Sequence, residues 1–170
     1  PAAIVVRVAK LGAVVPVYQG ESTLVELHRR LTTALAALTD DWQIVYVEDG
    51  SADRSWPMVE GFAATAPQVT ALRLIRNYGE HVAITAGLDH VDADHVAIIA
   101  CDLQDDPSAL PALLEAAATT GADLVLTRRL RRQDPLMKRT LARLLYALVQ
   151  FFVKVRYDHR VGNYRLLSRR

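Results

Sequence analysis

Short apolar runs rich in β-branched residues alternate with helix-like segments along most of this chain. The predicted strands cover residues 12–18, 42–47, 69–75, 95–101 and 122–127. The sequence pattern predicts helices over 22–38, 79–91 and 107–120, and a turn followed by a helix over 51–66. Strand–helix alternation with almost continuously apolar strands is typical of parallel sheets covered on both faces. We therefore predict an α/β fold with a mostly parallel, Rossmann-like sheet and helices on both faces.

A single domain is expected for a chain of 170 residues, of which 51% are hydrophobic. We predict that residues 1–127 form the α/β body and that residues 128–170 complete the same domain. Cys101 is the only cysteine, so no disulfide can form within the chain, and a reducing compartment is favoured. No uncharged apolar run approaches the roughly 20 residues that span a bilayer.

The charge of the chain is distributed unevenly. Residues 1–125 contain seven lysines and arginines against 17 acidic residues, whereas residues 126–170 contain 13 against two. The formal net charge of +1 therefore conceals an acidic body with a basic C-terminal quarter. Such a quarter is expected to meet an anion: a phosphate group, a nucleic acid or an acidic membrane face.

Polar clusters follow four of the predicted strands. They are VYQGES (17–22), EDGSAD (48–53), RNYGEH (76–81) and DLQDD (102–106). Parallel α/β sheets bind ligands beyond the carboxyl ends of their strands, so these clusters predict one ligand crevice. The sequence lacks both GxGxxG and GxxxxGK[ST], which disfavours a dinucleotide site and a P-loop. Carboxylate-rich chemistry favours a hard divalent cation, Mg²⁺ or Mn²⁺, that bridges phosphates.

Five segments carry a family resemblance, in this order: VVPVYQGESTL (14–24), IVYVEDGSADRSW (44–56), IRNYGEHVAITAGLDH (75–90), ACDLQDDP (100–107) and VGNYRLLSRR (161–170). Together they resemble the family 2 glycosyltransferases with the A-type nucleotide-sugar fold, above all the polyprenyl-phosphate glycosyltransferases and dolichyl-phosphate mannose synthase. The resemblance implies inverting, metal-dependent transfer of a sugar from a UDP- or GDP-linked donor to a polyprenyl phosphate. It also implies cell-envelope polysaccharide biosynthesis at the cytoplasmic face of the membrane, and transmembrane helices after Arg170.

The resemblance also implies site residues. The nucleotide end of the pocket would be lined by Pro16, Tyr18, Glu21, Glu48, Asp49 and Arg76. Either Glu48 or Asp49 would hydrogen-bond to the base. Asp102 matches the second acid of the family's Asp-x-Asp motif, so it would ligate the metal on the diphosphate, with Gln104 beside it. Ala100 stands where the first acid is expected, so one ligand of that motif is missing.

A phosphate acceptor needs no general base, because its oxygen is already deprotonated at neutral pH. Catalysis then requires positioning and charge neutralisation, which arginine's planar fork suits. Arg129, matched to the family's loop after the fifth strand, would act with Asp102 in catalysis. The acceptor phosphate would be held by Arg129, Arg132, Lys138, Arg139 and Arg165.

Residues 136–155 have a broad apolar face opposite a basic one, which is typical of a helix lying in a membrane surface. Packing of the same face against the sheet is the rival interpretation. A family aspartate is frequent where Asn163 stands, so a base at that position is doubtful.

Simpler roles and other functions stay open from the sequence. Asp102 could cap a turn, the Glu48–Asp49–Gly50–Ser51 stretch could form an ordinary turn, and Asp105 or Asp106 is expected to cap the helix that follows. The alternatives to lipid-phosphate transfer are a sugar-hydroxyl acceptor and a catalytically weakened module that binds a nucleotide or a partner. Nucleic-acid binding is disfavoured because aromatic residues do not interleave the basic ones. The sugar, the base, the metal and homo-oligomer formation are not encoded in any motif.

Overall fold

Six strands form one mixed sheet in the computed structural model, which describes residues 9–128 and 161–169. The elements in chain order are β1 (Leu11–Val17), α1 (Leu24–Ala36), β2 (Trp42–Glu48), α2 (Ser55–Thr65), β3 (Val69–Arg73), α3 (Glu80–His90), β4 (His95–Ile98), a 3₁₀ turn (Pro107–Ala109), α4 (Leu110–Thr120), β5 (Leu124–Arg128) and β6 (Val161–Ser168). The strand order is β3-β2-β1-β4-β6-β5. The predicted α/β fold with a mostly parallel sheet is therefore confirmed.

Strand β1 runs parallel to both of its neighbours, β2 and β4. All seven of its residues are buried, as expected for a central strand with both faces covered. The register aligns Val17 with Glu48, and Glu48 in turn with Arg73. Strands β1, β2 and β3 consequently end at the same level of one sheet edge.

Helix α1 packs through a single leucine face. Its buried residues follow the three- and four-residue spacing that places side chains on one side of a helix: Leu24, Leu27, Leu31 and Leu35. The sequence predicted a helix over 22–38, which contains α1. Thr23 is the N-cap residue, but its side chain makes no cap hydrogen bond.

Strand β6 was not predicted. It runs antiparallel to β4 and lies between β4 and β5, with Ile98 opposite Arg165. Gly162, Asn163 and two arginines give the segment 161–169 a weak strand pattern. Its pairing partner β4 lies more than 60 residues earlier in the chain, so local sequence cannot reveal the pairing.

Strand β4 is shorter than predicted and ends at Ile98 instead of residue 101. The Ile99 amide still donates to the Val14 carbonyl, after which the chain leaves the sheet. The turn and helix predicted over 51–66 correspond to a polar loop followed by α2, which begins at Ser55. The predicted helix over 107–120 begins as the 3₁₀ turn, and Asp106 caps it by accepting a hydrogen bond from the Ser108 amide at 3.0 Å.

The chain divides into two compact units, residues 1–126 with 163–170, and residues 127–162. The second unit lies outside the described residues except at its two ends, and so does the predicted amphipathic helix over 136–155. Across residues 9–128 and 161–169, no helix is long and apolar enough to cross a membrane.

A polar–aromatic contact between α1, α2 and β2 leads to a testable pH dependence. His28 stacks on Phe62 with 4.1 Å between ring centroids, and its Nδ1 lies 3.0 Å from the Tyr46 hydroxyl. Burial lowers the pKa of His28 below its ordinary value near 6.5. As the pH falls, His28 therefore binds a proton in the unfolded chain at a higher pH than in the folded protein.

We expect the His28 contribution to stability to be complete above pH 6.5 and to be lost as the pH falls through the lower folded-state pKa. Denaturant unfolding from pH 8 to pH 5 should show a decline that His28→Gln reduces. The exposed His90 provides the control, so His90→Gln should leave the decline in place. Equal declines in wild type and His28→Gln would contradict this assignment.

Candidate active site

The four polar clusters predicted from the sequence meet at one edge of the sheet. Side chains of the β2–α2 loop accept hydrogen bonds from the β1–α1 loop, starting with the Gln19 amide donating to Ser51 Oγ at 3.0 Å. The Tyr78 amide, in the β3–α3 loop, donates to Asp49 at 2.7 Å. The Thr23 hydroxyl lies 2.6 Å from the Cys101 carbonyl oxygen, in the segment after β4. Direct hydrogen bonds thus join all four loops.

Asp102 lies in an exposed turn after β4. One carboxylate oxygen accepts a hydrogen bond from the Gln104 amide at 3.0 Å, and Leu103 between them has a positive φ of 60°. This turn orients the carboxylate while leaving it open to solvent. Gln104 is also exposed, so both predicted metal ligands are accessible.

Cys101 ties the Asp102 turn to the β1–α1 loop. Burial raises the pKa of the Cys101 thiol, which also has a hydrogen bond with the Tyr18 main chain. A Cβ added at Gly20 would lie 3.3 Å from the Cys101 Sγ, tighter than most real contacts. The two loops therefore pack closely, and a larger residue at position 20 would push them apart.

Asp49 is enclosed by main chain. Its side chain is 2% exposed, and its two oxygens accept hydrogen bonds from the amides of Tyr78 at 2.7 Å and Gly79 at 2.8 Å. Both amides precede α3, so this carboxylate shapes the turn that starts that helix. A base-reading role for Asp49, implied by the family resemblance, stays a prediction.

Glu48 is completely buried at the end of β2. One carboxylate oxygen accepts a hydrogen bond from the Ser51 amide. The other lies 3.4 Å from Arg73 Nε and makes no hydrogen bond. The Arg73 guanidinium also sits over the Trp56 ring, 5.3 Å from its centroid. Glu48 therefore fixes an arginine at the sheet edge.

An open cleft of about 450 Å³ lies beside these residues. It is lined by Gly50, Ser51, Arg73, Leu74, Ile75 and Arg76. Arg76 stacks over the Tyr78 ring at 4.7 Å from the centroid, and Ile75 is 90% exposed. The cleft thus offers two guanidinium groups and an apolar side chain next to the end of β2.

The remaining predicted nucleotide residues belong to β1 and the loop after it. Pro16 is buried in the strand opposite Val47, whereas Tyr18 is 48% exposed. Glu21 is exposed, and its carboxylate accepts a hydrogen bond from the Arg54 amide at 3.1 Å. Only Tyr18 of these three presents an aromatic surface at the rim.

The basic residues proposed for the acceptor fall mostly outside the described residues, namely Arg129, Arg132, Lys138 and Arg139. Arg165 is described, and its position opposite Ile98 brings it to the end of β4 that leads to Asp102. Asp105 is buried, and its charge, with that of Asp106, adds to burial in raising the pKa of Tyr164 in β6. Strand β6 therefore adjoins the Asp102 turn.

The sequence matches the family model described as "Glycosyl transferase family 2" over residues 13–170, which is most of its length. The chain belongs to glycosyl transferase family 2. The resemblance found in its motifs is thereby confirmed.

A curated relative in this family is the undecaprenyl-phosphate 4-deoxy-4-formamido-L-arabinose transferase of Salmonella choleraesuis (strain SC-B67). It is 38% identical over 144 residues, which are 84% of this chain and 44% of the relative. The chain therefore spans less than half the length of that relative.

Solved structures share the glycosyl transferase fold at low identity. The mannosyltransferase PcManGT from Pyrobaculum calidifontis, in complex with GDP-Man and Mn2+, has a TM-score of 0.67 at 18% identity and covers 99% of this chain and 47% of its own. Glucosyl-3-phosphoglycerate synthase from Mycobacterium tuberculosis, in complex with Mn2+, UDP and phosphoglyceric acid, has a TM-score of 0.63 at 18% identity, covering 94% and 56%. These likenesses establish the fold.

Several residues at this candidate site were not predicted as site residues from the sequence. They are Thr23, Ser51, Asp53, Ser55 and Arg73. A signal for three of them was present, because alternate positions of the loop, Ser51, Asp53 and Ser55, carry short polar side chains that hydrogen-bond to nearby amides. Arg73 had no such signal, since it is the last residue of an ordinary strand.

The residues at this sheet edge include two candidate metal ligands, the Asp102 carboxylate and the exposed Gln104 beside it. Within residues 9–128 and 161–169, no three His, Cys, Asp or Glu side chains come together as a metal site. Asp102 has a solvent-exposed carboxylate, and a hard cation binds such an oxygen alongside phosphate oxygens and water. A cation here would depend on the bound substrate for other ligands.

Proposed function

We propose that this protein transfers a sugar, with inversion, from a nucleoside-diphosphate sugar to a polyprenyl phosphate. The observation that carries the proposal is the exposed Asp102 carboxylate at the meeting point of four polar loops. Membership of glycosyl transferase family 2 and the 38% identity to an undecaprenyl-phosphate transferase support both the reaction and the acceptor class.

The nucleoside is proposed to bind along the cleft beside β2 and β3. Arg76 and Tyr78 form a stacked pair at its rim, and a stacked guanidinium provides both a flat surface and hydrogen-bond donors. Tyr18 would cover the nucleotide from the β1 side. UDP- and GDP-linked donors both fit this chemistry, and both nucleotides occur in solved structures of the same fold.

Asp102, with Gln104 beside it, would hold a divalent cation on the diphosphate. When bound, Mg²⁺ or Mn²⁺ supplies charge neutralisation for the departing nucleoside diphosphate. The protein's own part is to orient the donor in the cleft so that the sugar's anomeric carbon faces the acceptor. The fixed loops achieve this orientation before the substrate binds, which lowers the entropic cost of reaction.

A lipid phosphate removes the need for a general base, since the attacking oxygen carries its charge at neutral pH. Arg165 adjoins the end of β4 and is proposed, with Arg129, Arg132, Lys138 and Arg139, to hold that phosphate. The basic quarter would also attract an anionic membrane face, and the cytoplasmic surface of the membrane is the proposed site of action.

A thermal-shift screen tests the donor half of this proposal. UDP, GDP and their sugar conjugates are added with and without Mn²⁺, and ADP is the control. At 100 times the dissociation constant a ligand stabilises the folded state by about 2.7 kcal/mol, so we expect Tm to rise by about 5–10 °C with one of the first two nucleotides. A response to none of them would contradict the proposed function.

The acceptor is tested by transfer of a labelled sugar from the nucleotide conjugate that binds. We expect label in a polyprenyl phosphate dispersed in detergent and none in a free oligosaccharide. Transfer to the oligosaccharide instead would show that the acceptor is a sugar hydroxyl.

A further inference from the structure

Three consecutive amides of the β1–α1 loop donate to three side chains of the β2–α2 loop. The Gln19 amide donates to Ser51 Oγ at 3.0 Å, the Gly20 amide to Ser55 Oγ at 2.9 Å, and the Glu21 amide to Asp53 Oδ2 at 3.1 Å. We call this set of three hydrogen bonds the loop seam. A fourth bond returns across it, from the Arg54 amide to the Glu21 carboxylate at 3.1 Å.

The loop seam holds a backbone that would not adopt its shape unaided. Gln19 has a positive φ of 51°, a conformation that costs a residue with a side chain about 1 kcal/mol or more. Such a conformation persists only where surrounding contacts enforce it. The amides of Gln19 and Gly20, which lie on either side of the Gln19 Cα, both donate to serine hydroxyls, so the seam supplies those contacts.

Asp53 is the central member because it uses both of its oxygens. Oδ1 accepts a hydrogen bond from the Ser55 amide at 3.0 Å, and Oδ2 accepts the one from Glu21. Partial burial opposes ionisation, but the hydrogen bonds from Ser55 and from the Glu21 amide outweigh it and lower the pKa of Asp53. At neutral pH the Asp53 side chain is therefore a carboxylate, and each of its oxygens accepts a hydrogen bond from a different amide.

The β1–α1 loop also contacts the segment that leads into the Asp102 turn. The Thr23 hydroxyl lies within hydrogen-bonding distance of the Gly20 and Cys101 carbonyl oxygens, at 3.0 Å and 2.6 Å. Gly20 packs against the Cys101 side chain. A displacement of residues 19–21 would therefore change the position of Asp102 as well as that of Tyr18.

We infer that Asp53 is a positioning residue for the donor site: it holds the β1–α1 loop so that Tyr18 and Asp102 face the same bound nucleotide. Asp53 needs no contact with the substrate to do this. The inference rests on the proposed function, since it names the residue that shapes the site for that ligand.

The test replaces Asp53 with asparagine, which keeps the size but leaves one acceptor oxygen for two amides. We expect Asp53→Asn to weaken binding of UDP or GDP in the presence of Mn²⁺ by about tenfold, measured by calorimetry. Hydrogen exchange at the Glu21 amide should speed up at least tenfold. Asp40→Asn is the matched control: it makes the same change in charge at an exposed residue before β2, and should alter neither quantity.

A second variant separates positioning from folding. Asp53→Ser keeps a short acceptor beside the Ser55 amide, but a serine is too short to reach Glu21 as well, so stability should be kept and affinity lost. Unchanged affinity in both variants would overturn the inference, and so would lost affinity with unchanged exchange at residues 19–21. If wild type binds neither nucleotide, the proposed function fails, and amide exchange alone decides whether Asp53 holds the loop.

Discussion

Asp102→Asn should abolish metal-dependent binding of the nucleoside diphosphate. The variant keeps the shape of the side chain and an oxygen that can accept from the Gln104 amide, so the turn should survive. It removes the negative charge that makes a carboxylate a stronger ligand than an amide oxygen for a hard cation. Loss of residues that merely support a metal ligand costs 10–100-fold, so we expect a loss of about 100-fold or more here.

Calorimetry with UDP and GDP, each with and without Mn²⁺, measures this effect. Asp106→Asn serves as the control, because it makes the same charge change four residues away and asparagine is an equally good helix cap. The control should bind as wild type does. Unchanged Mn²⁺-dependent affinity in Asp102→Asn would contradict the metal-binding role of Asp102 on which the proposed function rests.

Gly50→Ala should cause the largest loss of stability of any single methyl addition considered for this chain. Gly50 has a φ of +69°, and an added Cβ would lie 2.5 Å from the Asn77 amide nitrogen and 2.6 Å from the Arg76 carbonyl carbon. Both atoms belong to the main chain, so no side-chain rotation relieves the clash. We expect the free energy of unfolding to fall by about 2–4 kcal/mol and Tm by about 5–15 °C.

The loss of stability at Gly50 has two causes, the positive φ and the steric clash, and Gly121→Ala separates them. Gly121 has a similar φ of +64°, but a Cβ there would meet nothing within 4 Å. Its substitution should therefore cost only the backbone term, about 1 kcal/mol. Denaturant unfolding of both variants gives the steric term by difference. Equal losses would show that the β2–α2 and β3–α3 loops can separate freely at Gly50.

The two acids at the end of β2 show how far a motif can be interpreted. The family resemblance implied that Glu48 or Asp49 meets the nucleotide base. In the structure the Asp49 carboxylate accepts hydrogen bonds from two amides of the turn before α3, and Glu48 is buried beside Arg73. The motif does not distinguish a carboxylate that holds a loop from one that binds a ligand, because the same side-chain oxygens can accept from a main-chain amide or from a ligand.

The predictions that succeeded depended on local patterns. The alternation of apolar runs and helical segments gave the α/β fold, and the five ordered motifs gave glycosyl transferase family 2. The meeting of the polar clusters was also foreseeable, because parallel strands end at a common edge. The roles of individual site residues stay predictions, with Asp102 and Asp53 the ones that the experiments above address directly.

What the sequence determined by itself was the first five strands, the four α-helices and the sheet edge at which the polar clusters lie, since these follow from hydrophobic periodicity and strand direction. The tertiary structure alone decided that β6 enters the sheet antiparallel between β4 and β5, and that three side chains of one loop bind three amides of another. These features join residues that are 32 or more positions apart in the chain. Such pairings depend on how elements pack in space, and no local pattern of residues records them.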